Sequence, residues 1–243
     1  MNNDNMSIFI MIPTYNEKEN ISDLIRQIFN LKIKNLHIAV VDDNSPDGTW
    51  EIVKNISKKN KNAHLILRKA DKGRGSAGKE GFTYCLRHGA DIVIEMDADM
   101  SHNPKYIPSL INGLKNADLV LGSRGLEGSE EIGRSKIRRF ITKIANLYIR
   151  FMLGLDIKDC NSGFRCFKRK VLEGINLEKL ESKGPAIVQE VLFKAHLKGF
   201  KIKEIPIRFV NRTKGESKLG LPQLAAGYFM VIKLKMQHIL GLI

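Results

Sequence analysis

The amino-acid sequence predicts an α/β fold: a mostly parallel central sheet flanked by helices. Three observations carry that prediction. Apolar runs of strand length alternate with segments whose apolar residues recur at helical spacing. Clusters of turn-forming residues separate the two kinds of segment. The alternation continues through five strands up to residue 122, the pattern of a parallel sheet covered on both faces.

The elements follow in order. Residues 7–12 form a short apolar strand closed by the turn Pro13-Thr14-Tyr15-Asn16-Glu17. Ile21, Leu24, Ile25, Ile28 and Phe29 then mark one face of a helix. Residues 36–41 form the second strand, ending in Asp42-Asp43-Asn44-Ser45-Pro46-Asp47-Gly48, where Asp42 and Asp47 suit turn-forming roles. A helix with Trp50, Val53 and Ile56 inward follows, then a third strand at 64–67 and a glycine-rich turn. That turn leads into a helix bearing Phe82, Cys85 and Leu86. The fourth strand is the apolar run ending at Met96, the next helix spans 104–114, and the fifth strand spans 119–122.

Beyond residue 122 the alternation stops. Residues 134–150 hold six basic side chains and no acidic one, with Ile137, Phe140, Ile141, Ile144, Ala145 and Tyr148 at helical spacing. A basic amphipathic helix over about 134–152 suits an anionic lipid surface, or equally a core-packed helix with a solvated charged face. From residue 217 to 243 there is no acidic residue, and Leu224, Tyr228, Val231, Leu234 and Met236 suggest a second helix with the same two readings. The chain is therefore expected to divide into a main domain, 1–216, and an apolar, basic C-terminal helix, 217–243.

The formal charge of +14 implies an anionic partner: nucleic acid, an acidic membrane surface or a phosphorylated substrate. Cys85, Cys160 and Cys166 show no metal-site spacing and read as reduced thiols. The first residues lack the basic region of a signal peptide, and no uncharged apolar run reaches the length of a membrane span. Nucleic-acid binding would call for basic residues interleaved with aromatics or a helix–turn–helix pattern, and neither is present. No nucleic-acid partner is expected.

Asp97-Ala98-Asp99 sits where the fourth strand ends. Two carboxylates at an open strand end suit a hard divalent cation, Mg²⁺ or Mn²⁺, whose shell a substrate phosphate completes. A solvated turn with a capping Asp is the alternative for this motif alone. Gly73-Arg74-Gly75-Ser76-Ala77-Gly78 matches GxGxxG but follows the third strand, separated from it by a polar spacer, where the dinucleotide fingerprint belongs tightly after the first strand of its unit. The same segment through Lys79 fails as a P-loop because Glu80 stands where Ser or Thr would hold Mg²⁺. Its glycines are expected to let the chain turn tightly beside a nucleotide or a neighbouring helix.

Together, Pro13-Thr14-Tyr15-Asn16-Glu17, Val41-Asp42-Asp43-Asn44-Ser45-Pro46-Asp47-Gly48-Thr49 and Met96-Asp97-Ala98-Asp99 resemble glycosyltransferase family 2, with its GT-A nucleotide-diphosphosugar fold. Gly122-Ser123-Arg124, Ser162-Gly163-Phe164-Arg165, Glu204-Ile205-Pro206-Ile207 and the segment from Arg212 through Gly215-Glu216-Ser217-Lys218-Leu219 look like its dolichyl-phosphate mannosyltransferase branch. The resemblance covers about residues 8–219.

It implies a nucleotide pocket at Pro13, Tyr15, Glu17, Val41 and Asp43. It places Asp97, Ala98 and Asp99 at the diphosphate and its metal, with Ser101 a further oxygen ligand. Arg124, Arg212 and Lys218 would neutralise phosphate oxygens, and Asp99, Arg124 and Arg212 would carry the chemistry. Arg138 and Thr142, four apart on one helical face, would grip the acceptor phosphate, with Thr142 standing where the family usually has Ser. His102 reads as a loop residue. Gln189-Glu190 resembles the family's acidic element near the sugar, although Glu190 by itself reads as a helix-surface residue.

The implied reaction moves mannose from GDP-mannose to dolichyl or other polyprenyl phosphate with inversion, at the cytoplasmic face of a membrane. A small membrane-anchoring subunit is left open. The same chemistry with UDP-glucose or another nucleotide sugar is the near alternative, and an inactive family member is disfavoured by the intact Asp97, Asp99, Arg124 and Arg212. A processive polysaccharide synthase is disfavoured because the only Trp is Trp50 and the Gln-x-x-Arg-Trp element is missing.

Overall fold

A computed structural model describes residues 5–212 and 221–243, with the backbone alone for 221–224. The first half is the expected alternation: β1 (Ile8–Thr14), α1 (Lys18–Phe29), β2 (Leu36–Asp42), α2 (Thr49–Lys59), β3 (Ala63–Leu67), α3 (Arg74–Arg87), β4 (Ile92–Glu95), α4 (Ile107–Gly113) and β5 (Leu119–Ser123). A 3₁₀ turn, Pro104–Tyr106, opens the segment expected to be helix from 104, so the α-helical part is shorter. The second half adds β6 (Glu130–Ile132), α5 (Lys136–Leu153), β7 (Arg165–Lys168), α6 (Arg169–Gly174), α7 (Ile187–Leu197), β8 (Ile202–Pro206), β9 (Arg208–Val210) and α8 (Leu221–Ile239).

The main sheet runs β3-β2-β1-β4-β7-β5-β8. All neighbours are parallel except β7, which is antiparallel to both β4 and β5. Alternate residues of each strand enter opposite layers. Phe9, Met11, Ala39 and Val41 face the α3, α5, α7 and α8 side, whereas Ile8, Ile10, Ile12, Ile38 and Val40 join the opposite core with α1 and α4. Trp50 and Ile56, expected inward with Val53, are only partly buried; Val53 and Thr49 are the buried residues of α2.

Because β7 runs against its neighbours, its first residue lies at the same sheet edge as the last residues of β4 and β5. The segments 97–102, 124 and 162–165 therefore converge. The glycine-rich turn also has a neighbour: Gly73 has φ +139°, and a Cβ on Gly75 would come within 1.9 Å of the Ser182 carbonyl oxygen. The close neighbour is the backbone of the loop before α7.

Ser135 caps α5 by accepting from Arg138 N (3.3 Å), and left-handed Gly154 ends it. The helix buries Asn146, Ile149 and Leu153 and turns its apolar stripe outward, with Ile137, Phe140, Ile144, Leu147 and Phe151 exposed. Helix α8 has one packed face and one exposed apolar face. Val231 and Leu234 are buried against the α5 and α7 side, while Phe229, Ile232, Met236 and Ile239 are exposed. Among the described residues no helix is long and apolar enough to cross a membrane.

Candidate active site

A cleft of about 600 Å³ opens at the junction of β4, β5 and β7. One wall carries Asp97, Asp99 and Ser101. Asp99 is largely buried, accepts from Ser101 N at 3.1 Å and pairs with Arg212 at 2.7 Å. Asp97 is more open and faces Gly163, where a Cβ would sit 3.1 Å from Asp97 Oδ2. Burial alone would raise the Asp97 carboxyl, but the guanidiniums of Arg74 and Arg212 hold it below the usual carboxylate range. Ala98 turns into the core beneath. Two carboxylates and a hydroxyl make an all-oxygen donor set with an open side, which fits Mg²⁺ or Mn²⁺ sharing its shell with a diphosphate.

The opposite walls are cationic. Arg124 donates to Asp159 through its backbone N (3.0 Å), Nε (2.7 Å) and Nη2 (2.8 Å), and lies 5.0 Å over the Phe209 ring. Burial would raise Asp159, but the Arg124 guanidinium more than offsets it and keeps the carboxylate ionised. Arg134 pairs with Glu131 at 2.6 Å and donates to Thr142 Oγ1 at 3.1 Å. Arg138 is exposed at the mouth, and Thr142 donates back to the Arg138 carbonyl at 2.9 Å. Arg74 reaches Glu95 at 2.6 Å and Asp97 at 3.4 Å from the first turn of α3.

The structure thus brings Asp97, Asp99, Ser101, Arg124, Arg138, Thr142 and Arg212 into one cleft. Lys218 lies outside the described residues. Pro13, Tyr15, Glu17, Val41 and Asp43 lie at the sheet edge formed by the ends of β1 and β2 and just beyond, and none of them lines the cleft. The Val41 side chain is fully buried against α3, so only its backbone faces that edge. Asp43 pairs with buried Arg68 and accepts from Gly73 N at 2.7 Å, which anchors the glycine-rich turn. Asp42 and Asp47 take the expected turn roles: Asp42 accepts from Ser45 N at 2.8 Å, and Asp47 from Thr49 N at 2.9 Å.

His102 does lie in a loop but is buried, stacked on Phe164 at 5.1 Å, and its Nδ1 accepts from Asp97 N at 3.2 Å. Burial lowers its pKa despite the nearby carboxylates, and the neutral ring carries its proton on Nε2. Glu190 is not on the helix surface. It is 1% exposed, accepting from Glu181 N (3.0 Å) and Ser182 N (2.9 Å) and pairing with Lys194 at 2.8 Å. Arg74, Arg134, Asp159, Asn161 and Phe209 belong to the site or its immediate support without having been singled out for it in the sequence. For Arg74 the signal was present, inside the glycine-rich turn.

Residues 9–175 match the family described as Glycosyl transferase family 2. An undecaprenyl-phosphate mannosyltransferase of Micrococcus luteus is 36% identical over 215 residues, 88% of each chain. A polyprenol monophosphomannose synthase of Mycolicibacterium smegmatis is 36% identical over 224 residues, 91% of this chain and 84% of the relative. Among solved structures, glucosyl-3-phosphoglycerate synthase from Mycobacterium tuberculosis, in complex with Mn²⁺, UDP-glucose and glycerol 3-phosphate, aligns with a TM-score of 0.65. The alignment covers 97% of this chain and 80% of that one at 19% identity, which shows a shared GT-A fold. With a family match over more than half its length and relatives at this identity, the chain belongs to glycosyltransferase family 2.

Proposed function

We propose that this enzyme transfers mannose from GDP-mannose to a polyprenyl or dolichyl phosphate, with inversion at the anomeric carbon. One observation carries the reading: the carboxylates Asp97 and Asp99 face Arg124, Arg134, Arg138 and Arg212 across a cleft whose α5 side ends in exposed apolar residues. That arrangement suits two phosphorylated substrates meeting, one of them attached to lipid. The names of the two relatives support mannose as the transferred sugar and a polyprenyl-type acceptor.

Asp97, Asp99 and the Ser101 hydroxyl would hold Mg²⁺ or Mn²⁺. When bound, the cation neutralises charge developing on the departing diphosphate. Arg212 and Arg124 share that role, each already oriented by a carboxylate. The nucleotide would lie along Pro13, Tyr15, Glu17, the Val41 backbone and Asp43, and Lys218 would neutralise phosphate oxygens. Arg138, Arg134 and Thr142 would hold the acceptor phosphate on α5. That nucleophile has a second pKa of about 6, by analogy with phosphorylated side chains, and is ionised at neutral pH. No general base is needed, in keeping with His102 being buried with Nδ1 occupied. Positioning the two substrates supplies the remainder of the rate.

The outward stripe of α5 carries Ile137, Phe140, Ile144, Leu147 and Phe151 beside Lys136, Arg138, Arg139 and Lys143. With Phe229, Ile232 and Met236 of α8, it suits peripheral binding at an anionic membrane surface, where the acceptor resides. The test is incubation of the purified protein with Mn²⁺, dolichyl phosphate and radiolabelled GDP-mannose or UDP-glucose in parallel, counting label in the organic phase. Label from GDP-mannose alone is expected. Label from UDP-glucose alone would replace the donor, and label from neither, with sound folding, would mean a different donor or a missing partner.

A further inference from the structure

Behind Arg124 runs a chain of side-chain amides whose direction is fixed at one end. Asp159 is an ionised carboxylate and can only accept; it takes three hydrogen bonds from Arg124 and one from the Asn146 side chain. With its NH₂ on Asp159, Asn146 offers Oδ1 to Asn161 Nδ2 at 2.8 Å. Asn161 Oδ1 in turn accepts from Gln189 Nε2 at 2.5 Å. Each amide has one donor end and one acceptor end, so the direction set at Asp159 passes along the chain. Gln189 must therefore end it with its oxygen.

That oxygen, Gln189 Oε1, is buried and has no hydrogen-bond partner among the described residues. Gln189 is 7% exposed and lines a side chamber of about 220 Å³. The chamber shares Arg124, Thr142 and Asn161 with the main cleft, and Ala145, Ile149 and Val231 make its apolar side. A buried amide oxygen without a donor is costly, so the group that completes this site must bring one.

Under the proposed reaction, the diphosphate and the acceptor phosphate dianion present only acceptor oxygens, and a polyprenyl chain has no polar hydrogen. The transferred hexose does carry O–H groups, and its anomeric carbon must lie between the two phosphates. We propose that Gln189 Oε1 accepts a hydrogen bond from a hydroxyl of the transferred hexose, making Gln189 a sugar-recognition residue oriented through Asn161 and Asn146 from Asp159. The neighbouring acid does not compete for this role, since Glu190 already binds the loop before α7 and Lys194. The inference rests on the donor reading above and adds which side chain reads the sugar.

The test measures dissociation constants by calorimetry in Mn²⁺, for the bare nucleoside diphosphate and its sugar conjugate, with GDP-mannose and UDP-glucose run in parallel. Q189L removes the acceptor at nearly constant volume. It should weaken the sugar nucleotide about five- to a hundredfold while leaving the bare diphosphate within about twofold. A monodeoxy series of the bound donor, with each hydroxyl removed in turn, then locates the partner. One deoxy sugar should lose affinity for the wild type and show no further loss with Q189L. Equal weakening of sugar nucleotide and diphosphate, an unchanged sugar nucleotide, or additive losses at every hydroxyl would overturn the proposal. If Q189L does not fold, the wild-type deoxy series stands alone, and tolerance of every deoxy donor overturns it. Binding of no nucleotide at all would instead remove the donor reading, and this inference with it.

Discussion

Replacing Asp159 with Ala should strip Arg124 of its orienting anion. The Asp159 side chain is 1% exposed and that of Arg124 13%, so the pair is shielded from water. Three of the four hydrogen bonds traced to the Asp159 carboxylate come from Arg124, and the fourth from Asn146. Removing one partner of a buried ion pair costs about 3–5 kcal/mol, mostly because the remaining charge is left uncompensated. Arg124 borders an open cleft and recovers some hydration there, which puts the expected cost near the lower end, about 3 kcal/mol. For a chain of this size that is a fall in melting temperature of about 6–12 °C. Urea denaturation at neutral pH and a thermal melt measure it directly. Arg124→Met combined with Asp159→Ala should be more stable than Asp159→Ala alone, because the uncompensated charge is gone. A loss below about 1 kcal/mol, with no recovery in the double variant, would show that Arg124 behaves as an exposed charge and would refute the reasoning.

Asp99→Ala should reduce transfer by at least about 10²–10³-fold while urea unfolding stays close to wild type; near-normal activity would sink its role at the metal and diphosphate. Arg138→Ala should raise KM for the lipid phosphate about tenfold or more and leave KM for the nucleotide sugar unchanged, and equal effects on both would reject the acceptor assignment. His37 and His64 contact each other at 3.2 Å, and His64 also contacts the Tyr84 hydroxyl at 3.2 Å. Burial lowers both histidine pKa values, with the neighbouring imidazoles (His88, and His37 for His64) adding to it, so below pH of about 6.5 the unfolded chain binds protons that the folded one does not. Stability should fall as pH drops below that value, and urea midpoints at pH 7.5 and 5.5 should converge in His37→Gln/His64→Gln; an unchanged difference would place the sensitivity elsewhere.

The first five strands were legible because each is a local apolar run between turn formers. Asp97, Asp99, Arg124, Arg138, Thr142 and Arg212 were legible as members of contiguous motifs or a helical repeat, and the fold brings them into one cleft. What escaped was set by distant partners. Nothing within the four residues of β7 says that they insert antiparallel between β4 and β5. Glu190 looks like an ordinary helix-surface acid until Glu181 and Ser182, nine and eight residues earlier, aim their N–H groups at it. Periodicity made α5 amphipathic but was silent on which face turned inward. Ile149 and Leu153 took the core, and the longer apolar stripe was left outside.

The loop before α7 ties these parts into one mechanical unit. Glu181 holds Lys233 of α8 by an ion pair and accepts from Gln237 at 2.7 Å. The next carbonyls meet the glycine-rich turn: Gly75 N donates to Lys183 O at 2.8 Å. Two residues further on, Pro185 lines both the main cleft and the chamber in front of Gln189. On the other side of the turn, Gly73 N holds Asp43 at the nucleotide edge. A segment of five residues thus bridges the proposed nucleotide pocket, the sugar chamber and the helix whose outer face is apolar. Any displacement of α8 on a lipid surface is therefore applied within a few residues of both substrate pockets. The fixed backbone contact at Gly75, too close to admit a side chain, leaves that loop little room to absorb the movement.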